Sequence, residues 1–166
     1  MGQRIFSILV DNTAGVLSRI AGMFSRRGYN IDSLTVGVTA DPRFSRMTIV
    51  CNGEEMILEQ ITRQLEKQID VRDVKILQPG TSVNHELVMI KVRCGIEDRQ
   101  NVISVADVFR ARIVDIGPES LIIEITGSKT KLEAFISMFD GYEILELART
   151  GITGLSRGAE DVRFLQ

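Results

Sequence analysis

A chain of 166 residues with 44% hydrophobic content is long enough for one domain or two small ones, and its apolar residues are spread too evenly for disorder. A net charge of −2 with both signs interleaved argues against a dedicated nucleic-acid binder, which would carry a basic face or excess. Nowhere does an apolar run approach the roughly 20 residues of a membrane span, so the composition predicts a cytoplasmic protein with no membrane contact.

The chain opens on a strand-like run over residues 3–10, in which Ile5 and Phe6 lead into Ile8 and Val10. Its apolar part, Ile5–Val10, is too short for a secretory signal and has no small-residue cleavage site after it. Met1-Gly2 begins like a myristoylation signal, but Phe6 stands where that signal needs Ser or Thr. A helix follows over 16–29, with Val16, Leu17, Ile20, Met23 and Phe24 on one face, Arg19, Arg26 and Arg27 off it, and Gly28 as its stop. Residues 30–39 alternate as a strand, with Leu34, Val36 and Val38 on one face and Ser33, Thr35 and Gly37 on the other. Ala40-Asp41-Pro42-Arg43 is a turn, and 44–52 is a strand in which Met47, Ile49 and Cys51 alternate with Thr48 and Val50. A second helix over 54–68 carries a stripe of Ile57 or Leu58, Ile61, Leu65 and Ile69, and a strand over 71–77 completes the order βαββαβ.

Gln78-Pro79-Gly80-Thr81-Ser82 is a short, uncharged, turn-forming linker. Beyond it the order repeats: strand 86–94, helix 101–109 with Val102, Val105, Ala106 and Phe109 inward, strands 111–116 and 121–126, helix 128–139, strand 142–148. The fold class predicted is therefore α+β, two tandem ferredoxin-like βαββαβ domains covering residues 1–78 and 79–166. The last sixteen residues, from Gly151, hold three glycines and little periodicity, and read as a short tail. Cys51 and Cys94 each lie inside a strand with no second ligand at metal-binding spacing, which predicts buried free thiols and no metal site. His85, the single histidine, has no candidate nucleophile beside it, so no His-based catalytic residue is predicted.

The first strand–helix junction, Asp11-Asn12-Thr13-Ala14-Gly15, carries the chemistry. Asp, Asn and Thr are helix-capping residues. Gly15 leaves the first-turn amides uncovered at the positive end of the helix dipole, where a small carboxylate can approach. The same residues also suit a plain capped junction. In a ferredoxin-like domain the second strand lies at a sheet edge, where Lys, Pro or a bulge usually discourages pairing. Leu34-Thr35-Val36-Gly37-Val38 carries none of these, which predicts either a cover from the second domain or pairing with a second copy across a two-fold axis. The latter brings Asn30 of one chain to the Asn12–Gly15 loop of the other, and the seam then offers amides for a carboxylate, an amide side chain for an ammonium group and apolar walls. A free aliphatic amino acid needs these groups. The corresponding turn of the second half, Gly95-Ile96-Glu97-Asp98, lacks them, so no such site is expected there.

Three stretches carry a resemblance to a known family: DNTAGVLSR at 11–19, FSRRGYNIDSL at 24–34 and SRMTI at 45–49, joined by ARTGITGLSRG at 148–158. Together they resemble the small regulatory subunits of acetohydroxyacid synthase (acetolactate synthase), whose first half is an ACT domain, a ligand-binding module of ferredoxin-like topology. The resemblance implies a non-catalytic chain. It implies a homodimer through the ACT domain that binds and activates a separate catalytic (large) subunit, a transferase using thiamine diphosphate, Mg2+ and FAD, with none of these cofactors held by this chain. It also implies feedback inhibition of branched-chain amino-acid biosynthesis by a branched-chain effector, valine above all. The effector site carried over comprises Asn12, Thr13, Ala14, Gly15 and Val16, with Asn30 and Ile31 of the other chain. Rival readings of the topology are weaker. An RNA-binding domain needs an aromatic pattern that Phe6 and Phe44 do not supply. An acylphosphatase-type enzyme needs a phosphate-cradling loop that is not evident around Asn12 and Arg19. An ACT module regulating a different metabolic enzyme is the remaining alternative.

Overall fold

The structure is a computed structural model and describes residues 2–159. It contains two compact units, one formed by residues up to Val83 together with those from Ile152 onward, the other by Asn84–Gly151.

In the first unit β1 (Gly2–Asp11), α1 (Val16–Arg26), β2 (Ser33–Val38), β3 (Phe44–Gly53), α2 (Glu55–Glu66) and β4 (Val71–Ile76) follow the βαββαβ order. Their sheet runs β2-β3-β1-β4 with antiparallel neighbours, the ferredoxin-like arrangement. The helices cover one face. Period-two alternation sends Phe6, Ile8 and Val10 of β1 and Met47, Ile49 and Cys51 of β3 to that face, where they meet Val16, Ile20, Met23 and Phe24 of α1 and Leu58, Ile61 and Leu65 of α2. Full burial of each large side chain contributes about 1.5–3 kcal/mol. Two stripe residues behave differently from the periodic expectation: Leu17 is 45% exposed, and Ile69, beyond the end of α2, is 86% exposed. Gly28, at φ 67°, ends α1 in the left-handed conformation expected of a glycine stop.

The second unit holds most of β5 (Ser82–Arg93), then α3 (Ile96–Phe109), β6 (Arg112–Ile116), β7 (Ser120–Gly127), α4 (Lys129–Ser137) and β8 (Ile144–Arg149). Its strand order, β6-β7-β5-β8, repeats the first. Val88, Ile90 and Val92 pack with Leu121, Ile123 and Ile125 under Val102, Ala106, Leu132 and Phe135. Phe109, Phe135, Phe139 and Tyr142 form an edge-to-face series with centroid spacings of 5.5, 5.1 and 5.9 Å. Ser128 caps α4, its side chain accepting from the Lys131 amide. Helix α3 starts five residues before the apolar periodicity does. Ile96 is 81% exposed, so its first turn is held by Gly95 in extended conformation and by Glu97 and Asp98 at the positive end of the dipole rather than by burial.

The carboxy-terminal stretch differs from the expected tail over its described part. Thr153–Ser156 forms the strand β9, and within the first unit the Arg157 amide donates to the Thr81 carbonyl at 2.8 Å. The physical reason is local: four residues with two hydroxyls and a glycine have no apolar alternation to read. Residues 160–166 of the predicted tail lie outside the described residues.

Candidate functional site at the ends of helix α1

The junction between β1 and α1 is held by groups other than a helix cap. The predicted capping role of Asp11, Asn12 and Thr13 is not what the structure has: the N-cap residue is Gly15, and no side chain caps the helix. Asp11 is instead gripped by Arg72, whose Nε and Nη2 donate to its two carboxylate oxygens at 2.7 and 2.5 Å. This fork holds the Asp11 carboxyl below its usual range. The Asn12 side chain donates to the Pro42 carbonyl at 2.9 Å and accepts from Ser45 Oγ at 3.2 Å, so it ties the loop to the β2–β3 turn. Thr13 and Ala14 are exposed, and Val16 is buried as the first core residue of α1.

Gly15 sits at φ 86°, a left-handed conformation that an L side chain adopts only under strain. A Cβ there would also come within 2.8 Å of Arg19 Nη1. Arg19 therefore lies back over the glycine. It donates to both oxygens of Asp70 at 2.6 and 3.0 Å, while the Asp70 carbonyl accepts from the Asp11 amide. The first turn of α1 carries no side-chain cap, so its free amides suit a carboxylate, while the Arg19 charge beside Gly15 is already paired with Asp70. The periodicity of α1 sets Arg19 off the apolar face, and Arg19 is not among the effector-site residues that the resemblance implies. Its position four residues after Gly15, one helical turn on, was the available signal. Gly15→Ala is expected to cost about 1–2 kcal/mol of stability from the positive φ and to displace the Arg19–Asp70 fork; urea denaturation of the purified variant measures it.

Asn30 and Ile31 lie at the other end of α1. Asn30 is exposed and its Nδ2 donates to Asp32 Oδ1 at 3.0 Å. Asp32 is itself fixed, accepting from Asn52 Nδ2 at 2.9 Å and donating its amide to the Val50 carbonyl at 2.8 Å. Ile31 packs against the core. An 11-residue helix separates this pair from Gly15, about 16 Å at 1.5 Å per residue. One chain therefore gathers Asn12–Val16 at one end of α1 and Asn30–Ile31 at the other. Strand β2, between Asn30 and the Asn12-bonded turn, is the sheet edge, and Val36 and Val38 on it are 46% and 60% exposed.

The thiols are elsewhere. Cys51 is fully buried in the first core, and burial, reinforced by the Asp32 charge, pushes its pKa up to about 12. Cys94 is buried in the second core, with its pKa raised chiefly by desolvation. Both are expected to resist a thiol reagent at mildly alkaline pH in the folded protein and to react on unfolding; mass spectrometry of labelled native and urea-treated protein checks this. His85 is exposed on β5. Among the described residues no group of three His, Cys, Asp or Glu side chains is placed to hold a metal ion, and no helix is long and apolar enough to cross a membrane.

Comparison with known proteins fits this geometry. Residues 6–73 match the model of the acetohydroxyacid synthase small subunit-like ACT domain, and residues 85–158 match the small subunit of acetolactate synthase. A probable acetolactate synthase small subunit of Methanothermobacter thermautotrophicus is 47% identical over 93% of this chain and 93% of its own length. The acetolactate synthase isozyme 3 small subunit of Escherichia coli is 44% identical over 97% of this chain and 99% of its own. The crystal structure of the acetolactate synthase small subunit from Thermotoga maritima superposes with a TM-score of 0.87 at 38% identity, covering 96% of this chain and 100% of that one. With both halves matched and the ferredoxin-like order repeated, the chain belongs to the acetolactate synthase small-subunit family, and its first unit is an ACT domain.

Proposed function

We propose that this protein is the regulatory subunit of a cytoplasmic acetolactate synthase. It docks on the catalytic chain, raises its activity, and makes it sensitive to a branched-chain amino acid, valine above all. The observation that carries the reading is the split of the candidate site across α1, next to an uncharged exposed sheet edge. Pairing of β2 with its own copy about a two-fold axis continues the sheet and brings Asn30 and Ile31 of one chain beside Asn12–Val16 of the other. The first-turn amides of α1 then receive the carboxylate, the Asn30 amide receives the ammonium group, and Val16 and Ile31 face the aliphatic side chain. Residues 1–78 thus carry effector binding and dimerisation, and the second unit, Asn84–Gly151, carries contact with the catalytic chain or relay of the signal.

Catalysis belongs to the partner in this reading. Thiamine diphosphate, Mg2+ and FAD are expected on the large subunit, and this chain supplies neither ligands nor reacting groups. Calorimetric titration with valine, leucine and isoleucine tests the sensing half. Saturable binding of at least one of them, with the protein dimeric by sedimentation, is the expected result. A dimer that binds none of the three, or a monomer that binds valine with full affinity, contradicts it.

A further inference from the structure

The face of the first sheet away from its helices is unusually rich in buried polar groups. Across the register, Arg46 pairs with Leu9 and Gly37, and Thr48 pairs with Ser7 and Thr35. Leu9 and Asp73 are opposite on the far side, as are Ser7 and Lys75. Ser7, Leu9, Thr48 and Val50 are all at most 3% exposed, so this face is covered. Part of the cover, within the first unit, is the segment carrying β9. Thr35 Oγ1 donates to the Ile152 carbonyl at 3.2 Å, and Thr153–Leu155 pass over Leu9, Phe44 and Arg46.

Two cavities remain under that segment. One, of about 430 Å3, is walled mainly by carbon, with Leu9, Ala40, Phe44 and Leu155 prominent and Arg46 at its edge. The other, of about 210 Å3, is lined by Ser7, Lys75 and Ser156 and shares Arg46 and Leu155 with the first. The larger lies within the roughly 300–1,000 Å3 of small-molecule sites, which are mostly apolar with a few placed polar groups.

Arg46 joins the two. Among the described residues its guanidinium hydrogen-bonds only to Ser7 Oγ, at 2.9 Å, although it has five N–H donors. Burial weakens its hold on its proton, and nearby Asp73 restores part of that hold. No hydrogen bond joins Asp73 to it among the described residues, and Asp73 Oδ2 is itself buried without a partner. The acid on the apolar lining, Asp41, is neutralised by Arg43, which forks it at 3.0 and 2.6 Å. The lining therefore presents a half-buried guanidinium with unused donors at the end of an apolar chamber.

We propose that this cavity is a second small-molecule site, distinct from the ends of α1, and that it takes a short-chain aliphatic carboxylate without an ammonium group. The carboxylate accepts a two-point hydrogen bond from Arg46 at the junction of the cavities, the geometry that a guanidinium favours. The hydrocarbon chain lies between Leu9, Phe44 and Leu155. The carboxylate on the apolar lining, Asp41, is already forked by Arg43, so the chamber offers an ammonium group no free carboxylate and an amino acid is disfavoured there. The proposal stands independently of the valine reading, because no residue of the α1 ends lines either cavity.

Methyl-detected NMR titration of the full-length protein with hexanoate tests it, with hexylamine and hexanol as controls and valine held at saturation. Hexanoate is expected to shift the methyl signals of Leu9, Ala40 and Leu155 saturably, and neither control to do so below tenfold higher concentration. Arg46→Gln should weaken hexanoate binding at least tenfold, and Asn30→Ala should leave it unchanged. Ala40→Trp, at an exposed rim position that tolerates bulk, should block it, and serves as the deciding variant should Arg46→Gln fold poorly. Scattered shifts without saturation, equal response to hexanol, unaltered binding in Ala40→Trp, or loss of binding in Asn30→Ala would each overturn the assignment.

Discussion

Replacing Asn30 by alanine is expected to weaken valine binding roughly ten- to a hundredfold, the equivalent of about 1.5–3 kcal/mol for hydrogen bonding to a charged group. The geometry makes this a clean substitution. Asn30 is exposed, and its amide nitrogen is committed to Asp32, which Asn52 and the Val50 carbonyl hold in place. In the proposed site its oxygen is the atom that would be offered across the seam to an ammonium group. Folding loses only one exposed hydrogen bond, so stability should change by less than about 1 kcal/mol. Contact with the catalytic chain is assigned to the second domain, so activation should survive. The expected enzyme is still stimulated by this subunit but resists valine. Inhibition curves of the reconstituted complex, with calorimetry and sedimentation on the free subunit, measure the three properties separately. Unchanged inhibition removes Asn30 from the site; joint loss of dimerisation and activation makes it a structural residue.

Arg149→Ala is expected to destabilise the second unit by about 3 kcal/mol, at the lower end of the range for breaking a buried ion pair. Glu86 is only 6% exposed, and the Arg149 Nε and Nη2 donate to its two oxygens at 2.9 and 2.8 Å. The pairing raises the Arg149 pKa, chiefly through these hydrogen bonds. Beside it the Gly151 amide donates to the same carboxylate at 3.3 Å, and Thr150 Oγ1 accepts from the Leu87 amide at 3.1 Å. Truncating Arg149 leaves a buried carboxylate with one backbone donor. The guanidinium is itself about a third exposed, which is why the low end of the range applies. The double substitution Glu86→Gln with Arg149→Met should recover much of the loss, since it removes the orphaned charge. Urea denaturation with a probe in the second unit measures both. A loss below about 1 kcal/mol for Arg149→Ala would mean that the pair behaves as a surface one.

The sheets were legible in the residues where apolar and polar side chains alternate. Phe6-Ser7-Ile8 and Met47-Thr48-Ile49 each place an apolar side chain, a polar one and an apolar one, and the structure buries the apolar members under the helices. The edge position of β2 followed from the topology alone. Less was legible where burial does not decide. The first turn of α3 is exposed and held by glycine and acidic residues, so periodicity could not find it. β9 is a short polar strand, and the residue after it bonds back to Thr81, more than 70 residues away in sequence, a contact with no local signature. In the candidate site the special role of Gly15 was readable, but its surroundings were not. Arg72 claims Asp11, Pro42 and Ser45 claim Asn12, and Arg19 turns back over Gly15 toward Asp70. Each of these partners except Arg19 is distant in sequence, and side chains that look like caps take whichever partner the folded sheet brings nearest.

The central claim is that this chain regulates acetolactate formation without performing it. Its most direct test is the rate at which the purified catalytic subunit from the same organism converts pyruvate to acetolactate, measured alone, with this protein, and with this protein plus valine. The account predicts no turnover by this protein alone, a higher rate when the two are mixed, and a fall in that rate on adding valine that the catalytic chain by itself does not show. Acetolactate formation by this protein alone, or a catalytic rate that is the same with and without it, would contradict the account.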